Sequence, residues 1–102
     1  MYKSFEFNFE WDPSKAALSY KKHGVTFESA ATVFNDPRAL TIYDEEHSDD
    51  EDRWITVGFS VDTFLVIVHH TYREKSDHIA NIRIISARKA TKKEIKQYKE
   101  TI

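Results

Sequence analysis

The sequence predicts an α+β domain, and three observations carry that reading. An alternating aromatic strand opens the chain, and two capped helical stretches follow it. Three strand-like runs then come in succession before a closing helix. Helices and strands are thus segregated rather than interleaved, and consecutive strands with short connections imply an antiparallel meander. The expected architecture is a small, mainly antiparallel sheet packed with two N-terminal helices and one C-terminal helix, in a single domain spanning residues 1–102.

Phe5, Phe7, Phe9 and Trp11 recur at every second position, the period of a strand with one buried face. Asp12-Pro13 then reads as an N-cap and first helical residue, with Pro13, Ala16, Ala17 and Tyr20 as the expected apolar face and Gly24 as the C-terminal cap. Thr26 caps a second helix whose face is Phe27, Ala30, Ala31 and Phe34, stopped by Asn35-Asp36-Pro37. Leu40–Tyr43 is a short strand. Strands near 54–59, 64–72 and 79–87 form the meander, with the uninterrupted apolar run Phe64–Val68 marking a centre covered on both faces. Residues 73–78 read as a polar hairpin connection. Thr91-x-x-Glu94 is a capping box with Ala90 and Ile95 placed as a hydrophobic staple, and Ile95, Tyr98 and Ile102 form the stripe of the last helix.

Composition excludes several classes. With 40% apolar and 14% aromatic residues the chain can build a core, and no apolar run approaches the roughly 18 residues of a membrane span. The absence of cysteine rules out disulfides and thiolate metal sites. With only two glycines there is no phosphate loop or dinucleotide fingerprint, so no cofactor is expected. The N-terminus lacks the pattern of a signal peptide, and a cytoplasmic protein with no membrane partner is the expectation.

A net charge of −2 argues against bulk affinity for nucleic acid, so any polyanion contact must be local. Two stretches are locally extreme. Residues 79–102 carry seven Lys or Arg against two Glu, whereas residues 44–52 hold seven acids in nine positions. In the basic stretch, Arg83 and Arg88 offer planar forks suited to phosphate. Five residues apart on a regular strand, they face opposite sides and can converge only if a bulge or turn intervenes near Ser86. By side-chain chemistry alone, such charge runs are mostly solvated surface. His23 is the second candidate, as a proton carrier near neutral pH; a helix-terminal role favoured by the dipole competes with it. His69 and His70 are adjacent on a strand and point to opposite faces, so they cannot share a metal; with His47 they give no ligand spacing, and no metal site is expected. One of the pair is expected to face the core and the other a groove or the solvent, and both stand as weaker catalytic candidates. The acidic stretch lacks the glycine-bearing pattern of a calcium loop. It is expected to be a mobile, solvated loop away from any bound polyanion, with Arg53 ion-paired to its carboxylates.

Three blocks of residues carry a family resemblance. The first is Phe9-Glu10-Trp11-Asp12-Pro13 with Lys15, then Lys22-His23-Gly24-Val25, Phe27-Glu28, Ala30 and Phe34-x-Asp36-Pro37. The second is Arg53-Trp54-Ile55-Thr56-Val57-Gly58, and the third is Arg83 through Thr91 with Glu94 and Tyr98. Together they resemble the BrnT family of bacterial type II toxins, partners of the BrnA antitoxins. Departures are Ser19, where asparagine is expected, and a longer Tyr72–His78 connection. The resemblance implies a RelE-like fold and a metal-independent endoribonuclease that halts translation. It also implies a cognate ribbon-helix-helix antitoxin, assembled as two toxins with two antitoxins, which alone contacts operator DNA. For the site it implies Arg83 and Arg88 as a phosphate clamp, Arg53 in support and His23 as acid or base. Lys15, Lys22, Lys89, Lys92 and Lys93 are then the residues that attract RNA, and Tyr98 belongs to the core. The rival reading is a non-catalytic module whose basic corner docks an acidic protein or nucleic acid.

Overall fold

The computed structural model describes residues 6–101; Phe5 and Ile102, read above as strand and helix positions, lie outside the described residues. Its α+β fold is a six-stranded mixed sheet with three helices. The strands are β1 (Glu6–Glu10), β2 (Leu40–Tyr43), β3 (Trp54–Phe59), β4 (Leu65–His70), β5 (Arg73–Ser76) and β6 (Ile79–Lys89). The helices are α1 (Pro13–His23), α2 (Phe27–Ala31) and α3 (Lys92–Thr101). Strand order is β1-β6-β4-β3-β2, with β5 also paired to β6. The β1–β6 pair is parallel and the others are antiparallel.

The long strand β6 is bordered on both edges. On one side β4 pairs with its C-terminal half and β5 with its N-terminal half. On the other, β1 covers the N-terminal half as far as Arg83, and α1 takes over beyond it. There the Ser19 hydroxyl donates to Ala87 O at 3.2 Å and accepts from Ala87 N at 3.3 Å. Both bonds replace those of a missing strand, since unpaired buried backbone groups are costly. This close approach also corrects the expected face of α1. The buried line is Ala16, Ser19 and His23, while Ala17 and Tyr20 face solvent. Small side chains sit against the strand edge because larger ones would hold the helix away from it.

Expected caps are present at both first helices. Asp12 accepts from Ser14 N, Thr26 accepts from Ser29 N, and Gly24 takes the left-handed conformation at φ 74°. α2 ends early and continues as a 3-10 turn over Thr32–Asn35, which presses Val33 onto β3. A Cβ on Gly58 would meet Val33 Cγ1 at 2.9 Å, so glycine is what allows this contact. The core between helices and sheet is built from Val25, Phe27, Ala30, Val33, Val66, Val68, Ile82, Ile84 and Ala87. Phe7 and Phe9 close it against Phe34, at centroid distances of 5.6 and 5.4 Å.

Two further expectations are corrected. Residues 73–76 form strand β5 rather than a simple connection. The acidic stretch is organised rather than free: it begins with a 3-10 turn (Glu45–His47), and Ser48 Oγ both donates to Asp44 O and accepts from Arg53 N.

Candidate active site

The site lies on the face of the sheet opposite α1 and α2, and a bulge creates it. His69 pairs with Ser86 but His70 pairs with Ile84, leaving Ile85 as an extra residue in β6. Ile84 and Ala87 both reach the core although they are an odd number of residues apart, which requires that shift of phase. Arg83 and Arg88 consequently share the outer face. They are separated by roughly four strand steps, about 13 Å along β6, and they stand in different clefts.

Arg88 is held at the strand-to-helix corner. Its Nη1 and Nη2 donate to the two oxygens of Glu94, each at 2.8 Å. Glu94 is itself locked by the capping box: Oε1 accepts from Thr91 N at 2.9 Å, and Glu94 N donates to Thr91 Oγ1 at 3.2 Å. The bonds from Arg88, reinforced by Thr91 and opposed by burial, hold the Glu94 carboxyl down at about 2. Arg88 is correspondingly pushed above its ordinary value by its bonds to Glu94. Nη1 also donates to Lys89 O at 3.4 Å, so the fork-to-fork pair leaves the Nε–H and one hydrogen on Nη2 without a partner among the described residues. The cleft in front measures about 280 Å³, with an apolar floor of Ile42, Ile55, Val57 and Ile67 and a wall formed by α3. Tyr98 is buried in that wall, its hydroxyl donating to Asp36 Oδ2 at 3.1 Å, so it anchors α3.

His69 opens into the same cleft. Its Nδ1 lies 3.7 Å from Asp44 Oδ2, beyond a hydrogen bond but within ion-pair reach. Asp44 is only 7% exposed and also meets His47 Nδ1 at 2.9 Å. Burial lowers the pKa of His69, with Arg88 and His47 adding to the effect and Asp44 opposing it. His70 faces the other way. It is fully buried, its Nδ1–H donating to Thr71 O at 2.8 Å and its Nε2 accepting from Thr56 at 2.7 Å. Burial holds it neutral, with a pKa of about 4. It is a core histidine stacked edge-on against Phe34.

Arg83 occupies a polar cleft with Glu10, Asn81, Thr71 and Tyr72. Its backbone N–H donates to Thr71 Oγ1 at 3.3 Å, and its Nη2 donates to Glu51 Oε1. The acidic loop is therefore folded against Arg83, which overturns the expectation of a mobile loop remote from the basic residues. The 3-10 turn and the Ser48 bonds shape the loop, and Arg83 supplies an opposite charge against the repulsion among its carboxylates. Asp52 lines the same cleft and accepts from Tyr43 Oη at 2.9 Å.

The remaining expected residues are dispersed. Arg53 sits among Glu46, His47, Asp49, Asp50 and Glu51, yet among the described residues no carboxylate lies within ion-pair distance and its buried Nε lacks a partner. That corrects the expected ion pair. His23 is half-buried one turn beyond Ser19, and it lines neither arginine cleft. Lys15 and Lys22 are exposed on α1, and Lys92 and Lys93 on the first turn of α3. Lys89 Nζ lies 4.0 Å from the centre of the Phe64 ring. Among the described residues no group of three or more His, Asp or Glu is arranged to hold a metal ion, and no helix is long and apolar enough to cross a membrane.

The sequence does not mark Asp44 and Glu51 as site residues within their acidic run. Glu94 carried a signal, since the capping box places a carboxylate six residues after Arg88, in the first turn of α3.

Fold and site define an α+β domain with two arginine clefts on the outer face of its sheet, each guanidinium paired to a carboxylate. A family model described as the ribonuclease toxin BrnT of type II toxin–antitoxin systems matches residues 11–94. The chain belongs to that family. Its fold is similar to the crystal structure of the Brucella abortus ribonuclease toxin BrnT, with a TM-score of 0.56 and 19% identity, over 80% of this chain and 94% of that one. No curated protein matches. Membership in the family implies an antitoxin partner and an RNA target.

Proposed function

We propose that this chain is a metal-independent endoribonuclease that inhibits translation in the cytoplasm and is neutralised by a BrnA-like ribbon-helix-helix antitoxin, two toxins with two antitoxins. Its sheet-and-helix layout is then a RelE-like variant. The observation that carries this reading is the bulge at Ile85, which sets both Arg83 and Arg88 on the open face of the sheet. RNA cleavage by the neighbouring 2′-hydroxyl needs little more than alignment and stabilisation of the pentavalent phosphorane's negative charge. Arg88, oriented by Glu94, supplies that stabilisation at the scissile phosphate. Arg83, which lines a separate cleft, serves a flanking phosphate. Arg53 keeps a supporting role through the loop that carries Glu51. Lys15, Lys22, Lys89, Lys92 and Lys93 add general attraction along the edges, screened by salt.

The test is cleavage of a defined RNA by purified chain in excess chelator. The expected products are a 2′,3′-cyclic phosphate and a 5′-hydroxyl, and Arg88→Ala is expected to form them about 100- to 1000-fold more slowly. One observation favours a docking role instead: both arginines already hold carboxylates, as they would on binding an acidic protein. A protein that binds antitoxin through these arginines but leaves RNA intact supports that reading.

A further inference from the structure

We propose that His69, steadied on its Nδ1 side by the buried carboxylate of Asp44, is the group that takes the proton from the attacking 2′-hydroxyl in the Arg88 cleft. The inference rests on the ribonuclease reading above and names a residue for it.

The chain's five histidines do not compete equally for this task. Both ring nitrogens of His70 are committed in the core. His23 lines neither cleft, and His78 lies exposed in the β5–β6 turn. His47 turns its Nδ1 to Asp44 from the exposed side of the loop. Only His69 combines an apolar floor, an arginine in the same cleft and a carboxylate behind the ring. Strand alternation on β4 produces this, since Val66, Val68 and His70 turn to the core and Ile67 and His69 to the cleft.

The charged groups around His69 divide cleanly. Asp44 and His47 stand on its Nδ1 side, and Arg88 and Glu94 share the cleft. Glu94 is ionised and committed to Arg88, and the Tyr98 hydroxyl is committed to Asp36, so neither serves as the base. Asp44 favours a proton on Nδ1, which leaves Nε2 as the lone-pair nitrogen; Nε2 makes no hydrogen bond among the described residues. Burial keeps the neutral ring dominant at neutral pH, the form that accepts a proton.

The step balances. Nε2 takes the 2′-hydroxyl proton, the 2′-oxygen forms its bond to phosphorus, and the bond from phosphorus to the 5′-oxygen breaks with its electron pair leaving on oxygen. Arg88 stabilises the phosphorane. The departing oxygen takes a proton from water, and His69 returns its own to solvent. The products are a cyclic phosphate and a 5′-hydroxyl, with no net change in protons.

The experiment measures kcat and RNA affinity against pH for the wild-type chain, His69→Gln, His69→Asn, Asp44→Asn and His23→Gln, with melting curves to confirm folding. His69→Gln or His69→Asn is expected to lose about 100-fold or more in kcat, keep RNA affinity within about twofold, and lose the acid limb of the profile. Asp44→Asn keeps the limb but shifts it, and His23→Gln leaves it in place. A separate readout needs no turnover: the His69 ring proton resonances shift on adding a nucleoside 2′,3′-cyclic phosphate. Folded His69 variants that retain wild-type kcat and the acid limb sink the inference while leaving the ribonuclease reading intact. A wild-type chain that does not cleave RNA removes the ribonuclease reading. The inference is overturned if the His69 resonances are silent toward the cyclic nucleotide.

Discussion

The clefts of Arg83 and Arg88 lie on one face of one strand, yet they are built on different principles. Arg88 is held by secondary structure: two 2.8 Å bonds to Glu94, whose carboxylate is in turn fixed by the N-terminal capping box of α3. Arg83 is held by a loop, through one contact to Glu51, with both side chains part-exposed at 40% and 38%, against 34% and 29% for the Arg88–Glu94 pair. The first guanidinium stands over an apolar floor, where its charge is less screened; the second lies among Glu10, Glu51 and Asp52. Geometry that is part of a helix start needs no rearrangement when an anion arrives, whereas a loop carboxylate must be displaced. On the ribonuclease reading proposed above, the Arg88 cleft carries the chemistry and the Arg83 cleft binds conditionally.

The largest expected effect tests that division. Arg88→Ala should cost about 100- to 1000-fold in cleavage rate, the scale for removing a donor that stabilises developing charge. Arg83→Ala should cost on the order of tenfold, mostly in RNA affinity, because an exposed charge contributes less. Equal losses in the two variants, measured under single-turnover conditions, break the comparison.

Stability should follow the same line. Glu94→Ala removes an N-terminal capping bond and leaves Arg88 without its partner, so a loss of about 2 kcal/mol is expected in denaturant unfolding. Acid adds a second check. Glu94 falls from an ordinary 4.5 to about 2 in the folded chain, so its stabilising contribution is complete above pH 4.5 and disappears as pH drops toward 2. Glu94→Gln should flatten that part of the stability profile. A slope unchanged by the substitution means the Arg88–Glu94 pair is weaker in solution than its geometry indicates.

Much of the fold was legible because local signals agree with one another. The capping residues Asp12, Thr26 and Thr91, the Gly24 cap and the buried run of β4 all stand where pattern and chemistry put them. The face of α1 was not, since an amphipathic reading assumes that a helix buries its large residues. This helix instead lays Ala16 and Ser19 against an open strand edge and leaves Leu18 and Tyr20 in solvent. Strand β5 was hidden because Arg73–Ser76 is exposed throughout and has no alternation to read. The site depended on one residue that no composition betrays. Ile85 is an ordinary strand former, and its bulge shows only in the pairing with β4. Without it, spacing alone puts Arg83 and Arg88 on opposite faces. The proximity of Asp44 to His69 is likewise tertiary, joining the end of β2 to the end of β4.

The smallest expected effect concerns the loop. An exposed ion pair contributes about 0.2–1 kcal/mol, so releasing Arg83 by Glu51→Gln should tighten RNA binding by no more than about fivefold. Stability should barely move, in contrast to the Glu94 variants. Salt separates this effect from a simple change in net charge. Raising ionic strength weakens both the internal pair and the RNA contact, so the advantage of Glu51→Gln over wild type should shrink as salt rises. Asp49→Asn makes the matching control: it removes the same charge from the same loop without touching Arg83. If Asp49→Asn tightens RNA binding as much as Glu51→Gln does, the loop acts only through its overall charge. If Glu51→Gln alone does so, the carboxylate holds the place that a phosphate would take.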